Sequence, residues 1–166
     1  KTIRMPFNFY AVLVSTLVTL VVGFVWYHPK VFGTLWMNET GMTEEKARQS
    51  NMLKVFGLTI FFSFMLAFLM PVLVIHQFGP LGMIGGPEFI EKAKPSYAAF
   101  MADYGTAFRS FKHGALHGSM AGLFFALPMT AINGLFEQKS WKYILVTSGY
   151  WIVSFTIMGA ILCGWQ

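Results

Sequence analysis

Four apolar stretches, each long enough to cross a membrane as a helix, constrain this chain more than any other feature. They cover residues 7–26, 55–76, 114–136 and 143–165, and they contain no Lys, Arg, Asp or Glu. A transmembrane helix needs roughly 20 predominantly apolar residues, and soluble proteins do not expose apolar surface on this scale. We therefore predict an all-α integral membrane protein, in which a four-helix bundle forms a single domain over residues 1–166.

The overall composition excludes the other common classes of protein. Hydrophobic residues make up 55 % of the chain and charged residues only 11 %, whereas soluble domains carry about 25 % charged residues. Cys163 is the single cysteine, so no disulfide scaffold forms within the chain. The Lys and Arg residues are scattered between the apolar stretches, where they meet lipid head groups, and are not clustered on one face. We expect the lipid bilayer as a partner and no nucleic acid.

Two amphipathic helical extensions are predicted before the second and third spans. Thr43 is suited to cap a helix whose first turn contains Glu44 and Glu45, and this helix is predicted to continue straight into the second span. Pro95 opens the other extension, in which apolar side chains recur at helical spacing as far as Phe111. Such a segment packs on the bundle, lies in the membrane interface or docks another protein.

Small residues recur at intervals of four near the start of the third span. Gly114, Gly118 and Gly122 form one series, and Ala160 and Gly164 repeat the spacing on the fourth span. This pattern lets the backbones of two helices approach closely. It predicts a helix-packing face, used either within one chain or for self-association.

The histidines are the candidate metal ligands. His113 and His117 are four residues apart, so both rings can point from one face of a helix, and His76 and His28 are possible additional ligands for a metal ion or a haem. No cysteine or acidic residue joins the pair within the motif. A structural or interfacial role is the competing interpretation, and the sequence predicts no cofactor.

The ends of the spans carry polar and aromatic side chains. Asn133 and Glu137 are four residues apart at the end of the third span, close to Lys139 and Lys142. They predict a polar clamp at the short hairpin, with a part in a ligand site as the alternative. Aromatic residues at the positions where interfacial belts form are Trp26, Tyr27, Trp36 and Trp141.

The apolar stretches carry no machinery for catalysis or for proton coupling. All seven acidic residues lie outside them, although proton-coupled transporters generally keep an ionisable group within the membrane. Ser119 and His117 fall on different faces of a helix and do not form a catalytic pair. We therefore predict no catalytic residue and no enzyme.

Three functions are compatible with such a chain. The leading one is an accessory or scaffolding subunit, or a homo-oligomeric bundle, whose partners are other membrane subunits or itself. The alternatives are a small solute transporter or permeability protein that acts as a dimer, and a metal- or haem-binding protein that uses His113 and His117. Orientation in the membrane is undecided, because the two sides carry six Lys and Arg residues each.

Several motifs together resemble one protein family. They begin with the run Gly-Phe-Val-Trp-Tyr-His-Pro and cover residues 23–29, 32–33, 35–36, 41–45, 133–137, 141–142, 149–150 and 158–161. The chain is similar to the bacterial four-span family catalogued as domain of unknown function 1761. This resemblance implies a multi-pass protein of the bacterial cytoplasmic (inner) membrane with one four-helix domain. It implies no catalytic residue, because the family has no established activity.

Overall fold

The computed structural model describes residues 8–166, and every regular element in that range is helical. The α-helices are α1 (Phe9–Trp26), α2 (Thr34–Thr40), α3 (Glu44–Gln49), α4 (Met52–Val74), α5 (Phe78–Met83), α6 (Pro95–Tyr104), α7 (Phe111–Ala121), α8 (Leu127–Phe136) and α9 (Trp141–Gly164). Two π-helical turns, Pro29–Gly33 and Gly122–Ala126, and a 3-10 segment, Pro87–Lys92, complete the set. The predicted all-α class is confirmed.

Four helices are long and apolar enough to cross a membrane, as predicted. They are Phe9–Trp26, Met52–Val74, Phe111–Phe136 and Trp141–Gly164, the third of which joins α7, the π-helical turn Gly122–Ala126 and α8. The chain is thus a multi-pass membrane protein. The boundaries differ from the prediction: Phe7 lies outside the described residues, and α4 ends at Val74, so that His76 follows the second span instead of ending it.

The amphipathic extensions are separate helices, so the prediction of a continuous helix into the second span is wrong. Thr43 does cap α3, since its Oγ1 accepts a hydrogen bond from the Lys46 N–H at 3.2 Å. However, α3 ends at Gln49, and the Asn51 side chain caps α4 by accepting from the Lys54 N–H at 3.0 Å. An Asn side chain that bonds to nearby backbone competes with helix continuation, and this breaks the helix in two.

The extension before the third span is broken in the same way. Helix α6 ends at Tyr104, and Ser110 caps α7 through a hydrogen bond from the His113 N–H to its Oγ at 3.3 Å. Residues 105–110 therefore form a connection of their own between the two helices.

Successive spans run in opposite directions, so that each end of the bundle can be identified by the residues that meet there. At one end, the Asn8 side chain donates to the Trp165 carbonyl at 3.3 Å, and His76 lies against His113; we call this the histidine end. At the other end, α1 finishes at Trp26, whose Nε1 donates to the Val146 carbonyl at 3.0 Å. We call it the hairpin end, because α8 and α9 are joined there.

Glycine residues allow α7 and α9 to pack backbone against backbone. A Cβ atom added at Gly114 or Gly118 would collide with the carbonyl oxygen of Gly159 or of Phe155, and one added at Gly122 would lie 2.5 Å from the Cα of Ile152. The structure therefore places this glycine face within one chain, where it is covered.

The fourth span meets this glycine face through residues other than the predicted Ala160. Gly159, which the sequence analysis did not single out, lies opposite Gly114, and a Cβ atom on Gly164 would lie 2.6 Å from the Phe111 ring. Ala160 is only half-buried. On α9, Gly159 thus takes the place predicted for Ala160, whereas Gly164 packs against the third span.

Hydroxyl groups join α1, α4 and α9 on the other side of the core. Thr19 Oγ1 and Ser63 Oγ are 2.5 Å apart, and the Tyr150 hydroxyl donates to the Thr19 carbonyl at 3.0 Å. Hydrogen bonds between membrane helices contribute on average about 0.6 kcal/mol each. Because the hydrophobic effect does not drive helices together within lipid, these hydrogen bonds help to specify which helices pack.

Replacing Gly118 by Leu is expected to destabilise the bundle by at least about 1–3 kcal/mol, the usual cost of overpacking a tight core. The physical reason is the collision with the Phe155 carbonyl. Thermal unfolding in detergent measures the effect. Gly57→Leu is the matched control, because a Cβ atom at Gly57 meets no atom within 4 Å. Equal melting temperatures of the two variants would contradict the described packing.

Candidate metal centre

Three histidines meet at the histidine end of the bundle. One imidazole nitrogen from each of His76, His113 and His117 lies within 4.8 Å of the other two. The shortest separation is 2.8 Å, between Nε2 of His76 and Nε2 of His113. At that distance one ring donates its N–H to the lone pair of the other. We call this group the histidine cluster.

The ends of α4 and α7 bring these rings together. Because Ser110 caps α7, His113 and His117 fall one turn apart on the same face, with ring centroids 4.5 Å apart. His76 follows α4 at the same end of the bundle, and its ring centroid lies 4.9 Å from each of the other two. The cluster thus joins the end of the second span to the start of the third.

An aromatic side chain in an unusual backbone conformation lies beside the cluster. The Phe108 ring centroid is 5.6 Å from that of His76 and 5.0 Å from that of His113. Phe108 has φ of +61°, in the left-handed region, which is costly for a bulky residue. Contacts with the rest of the protein must therefore determine the shape of this connection.

Hydrogen bonds to the end of α9 hold the Phe108 segment in place. Arg109 Nε donates to the Cys163 carbonyl at 2.9 Å, and Cys163 Sγ lies 3.5 Å from the Phe108 carbonyl. Burial lowers the pKa of the Arg109 guanidinium. A guanidinium remains protonated in proteins, so its charge faces the negative end of the α9 dipole, where a cation is stabilised.

A buried amide ties the same connection to α4. Gln77 is only 4 % exposed, and its Nε2 donates to the carbonyls of Tyr104 and Ala107 at 2.8 and 2.9 Å. A cavity of about 300 Å³ lies alongside, lined by His76, Phe100 and Tyr104 among others. One ring of the cluster therefore borders open space beneath α6.

The distances between the three nitrogens can be compared with those around a tetrahedral metal ion. With metal–nitrogen bonds of 2.0–2.1 Å, two imidazole nitrogens on one tetrahedral ion are about 3.3 Å apart. The observed separations run from 2.8 Å to at most 4.8 Å, so adjustments of about 1 Å in side-chain position bring all three nitrogens to one ion. Three protein ligands leave one position of a tetrahedral ion open to water or another ligand.

His28 does not join the cluster, so that part of the prediction is wrong. It follows α1 at the hairpin end, where its Nδ1 accepts a hydrogen bond from the Lys30 N–H at 3.2 Å. The reason is topological: the first span ends on the side of the membrane opposite to the start of the third span. By the same reasoning, the end of the second span and the start of the third lie on one side of the membrane, which places His76 and His113 together. The sequence analysis did not use this argument.

The other predicted polar and aromatic residues lie away from the cluster. At the hairpin end, the Glu137 N–H donates to the Asn133 carbonyl at 2.9 Å, while the Asn133 side chain lines a separate groove. Tyr27 packs between the rings of Trp36 and Tyr150, with both centroid distances 5.3 Å. Burial raises the pKa of the Tyr27 hydroxyl. Trp26 is half-buried and Trp141 is exposed.

Comparison with known families gives one match. A family model described as "Protein of unknown function (DUF1761)" matches residues 10–163. The chain belongs to this family. No curated protein and no solved structure matches the chain. The region matched to DUF1761 contains all three residues of the histidine cluster.

Phe108 and Gln77 contribute to the site in this DUF1761 protein without having been predicted. For Gln77 there was a usable signal, an amide directly after a span, where backbone carbonyls of a connection need donors. For Phe108 there was none, because its backbone conformation depends on contacts with α9.

Gln77→Leu is expected to loosen residues 105–110 over the cluster, because both backbone carbonyls that the amide binds lose their donor. Amide hydrogen exchange of residues 95–110 should become faster, by roughly tenfold for a loss of about 1.4 kcal/mol. Gln49→Leu, at the exposed end of α3, is the control. Unchanged exchange in Gln77→Leu would show that the amide does not hold the connection.

Proposed function

We propose that this multi-pass membrane protein has a non-enzymatic role and binds one first-row transition-metal ion through His76, His113 and His117. The observation that carries the proposal is that three imidazole nitrogens, one from just after the second span and two from the third, lie within 4.8 Å of one another. Imidazole is a ligand for Zn²⁺, Cu²⁺, Ni²⁺ and iron, whereas Ca²⁺ and Mg²⁺ take oxygen ligands. We expect Zn²⁺ or Cu²⁺.

The geometry favours a single ion over the haem considered as an alternative. A haem iron with two histidine ligands holds them on opposite faces of the porphyrin. His113 and His117 instead lie side by side on one helix face, and His76 Nε2 is 2.8 Å from His113 Nε2. Three nitrogens within 4.8 Å of one another match a small ion.

A structural role alone accounts for less of this arrangement. Gathering three imidazoles at the end of a bundle fixes three side chains, which costs conformational entropy. The hydrogen bond between His76 and His113 contributes only about 1 kcal/mol to the free energy of unfolding. A bound ion, in contrast, would give each ring a strong partner, and metal binding contributes directly to folding stability.

The location and the partners are part of the proposal. The resemblance to a bacterial four-span family supports the bacterial cytoplasmic membrane. Association with other membrane subunits or with a second copy would use a surface other than the glycine face, which is covered by α9. The accessory-subunit and dimeric-transporter hypotheses stay predictions, because both concern a second molecule.

Zinc binding by the purified protein tests the proposal. The protein in detergent is stripped with EDTA and titrated with Zn²⁺, and bound metal is counted by inductively coupled plasma mass spectrometry. We expect one ion per chain. His76→Ala, His113→Ala and His117→Ala should each weaken binding by more than the roughly 10–100-fold that loss of a supporting contact costs, because each removes a ligand.

His28→Ala is the matched control, since His28 lies at the hairpin end and should bind zinc like the parent. All variants are first checked by circular dichroism for helical content. Equal zinc affinity of the His28 variant and the three cluster variants would overturn the proposal, as would a parent that binds no zinc.

Acidification is expected to release the ion, because an imidazole binds metal only in its neutral form. The zinc affinity should fall steadily as the pH is lowered from about 8 to about 5, because protons compete with the ion for the imidazole nitrogens. A zinc affinity that did not change over this pH range would show that the ligands are not the three imidazoles.

A further inference from the structure

A groove lies on the outer side of the bundle, and none of the three histidines of the cluster lines it. Helix α4 packs against α7, while α8 packs against α9, and the groove opens between α4 and α8. The π-helical turn Gly122–Ala126 separates α7 from α8, and Pro128 lies in the first turn of α8. Irregularities of this kind bend membrane helices. The groove has a volume of about 410 Å³, within the range of ligand pockets.

The lining of the groove is apolar except near one end. Its side walls include Leu66, Leu73 and Phe125, and its back is formed by Trp151 and Phe155 of α9. Leu73 lies one residue before the end of α4 at the histidine end. The lining thus extends from that side of the membrane towards the hairpin end.

An amide without a protein partner marks the other end of the groove. Asn133 lines the groove three residues before α8 ends at Phe136, and its side chain is exposed. Within residues 8–166 it forms no side-chain hydrogen bond. An unpaired amide next to hydrocarbon is costly, which favours a polar partner from outside the chain at this end of the groove.

We propose that this groove binds one phospholipid molecule. An acyl chain fills the apolar part, and an ester or phosphate oxygen of the head-group region accepts a hydrogen bond from Asn133 Nδ2. Lys139 and Lys142 follow α8 at the same end, and Glu137 lies between them and Asn133. The net positive charge of this segment matches an anionic head group.

Binding of dioleoyl phosphatidylglycerol, measured by native mass spectrometry on delipidated protein, tests the proposal. We expect one tightly bound lipid per chain. Asn133→Leu should weaken its binding about fivefold, the factor that corresponds to one hydrogen bond. Ala126→Phe, which puts a ring into the groove, should remove the tight site.

Two controls are matched to these variants. Val72→Phe adds a ring on the lipid-facing side of α4 outside the groove lining, and Asn38→Leu removes an exposed amide from α2 at the hairpin end. Both should bind lipid like the parent. Equal binding by Ala126→Phe and Val72→Phe would overturn the proposal. So would a dimer that Ala126→Phe dissociates, because a second copy would then occupy the groove. Neither outcome involves metal binding.

Discussion

The backbone contact between α7 and α9 determines where the rest of the structure lies. Lipid offers no hydrophobic drive for helices to associate, so the register of this pair depends on how closely Gly114 and Gly118 approach α9. Each glycine directly follows a histidine, His113 or His117. Consecutive residues on an α-helix are 100° apart, and the face next to the glycines therefore carries both rings towards α4. One repeat of four residues thus sets both the packing and the candidate metal site.

The two halves of the third span, α7 and α8, pack differently. Up to Ala121 the span lies close against α9 and holds the histidines at a fixed height. Beyond that, the π-helical turn Gly122–Ala126 and Pro128 let α8 diverge from α4, and the groove results. The two proposed sites are therefore set by separate features of the same span, and a change in one need not alter the other.

The sequence predicts what depends on local pattern and fails where the outcome depends on competition or topology. Apolar length foretold the four spans, and spacing foretold that His113 and His117 share a face. The sequence analysis missed the breaks at Asn51 and Ser110. An Asn or Ser side chain in a periodic stretch can either lie within a helix or bond to nearby backbone and start a new one, and the pattern alone does not distinguish the two. His76 and His28 were treated as equal candidates, although counting the crossings of the membrane separates them. The conformation of Phe108 had no local signal, since contacts with α9 impose it.

The electrostatics of the histidine cluster link it to both the fold and the bilayer. Three neutral imidazoles would leave the two positive charges of a bound ion uncompensated. His113 is the third residue of α7, and the positive end of that helix dipole disfavours a cation. His76 follows the end of α4, whose dipole favours one, so that the two contributions largely cancel. For the proposed ion, anionic lipid head groups at the membrane boundary would supply counter-charge, and we expect the metal affinity of this site to depend on the lipid that surrounds it.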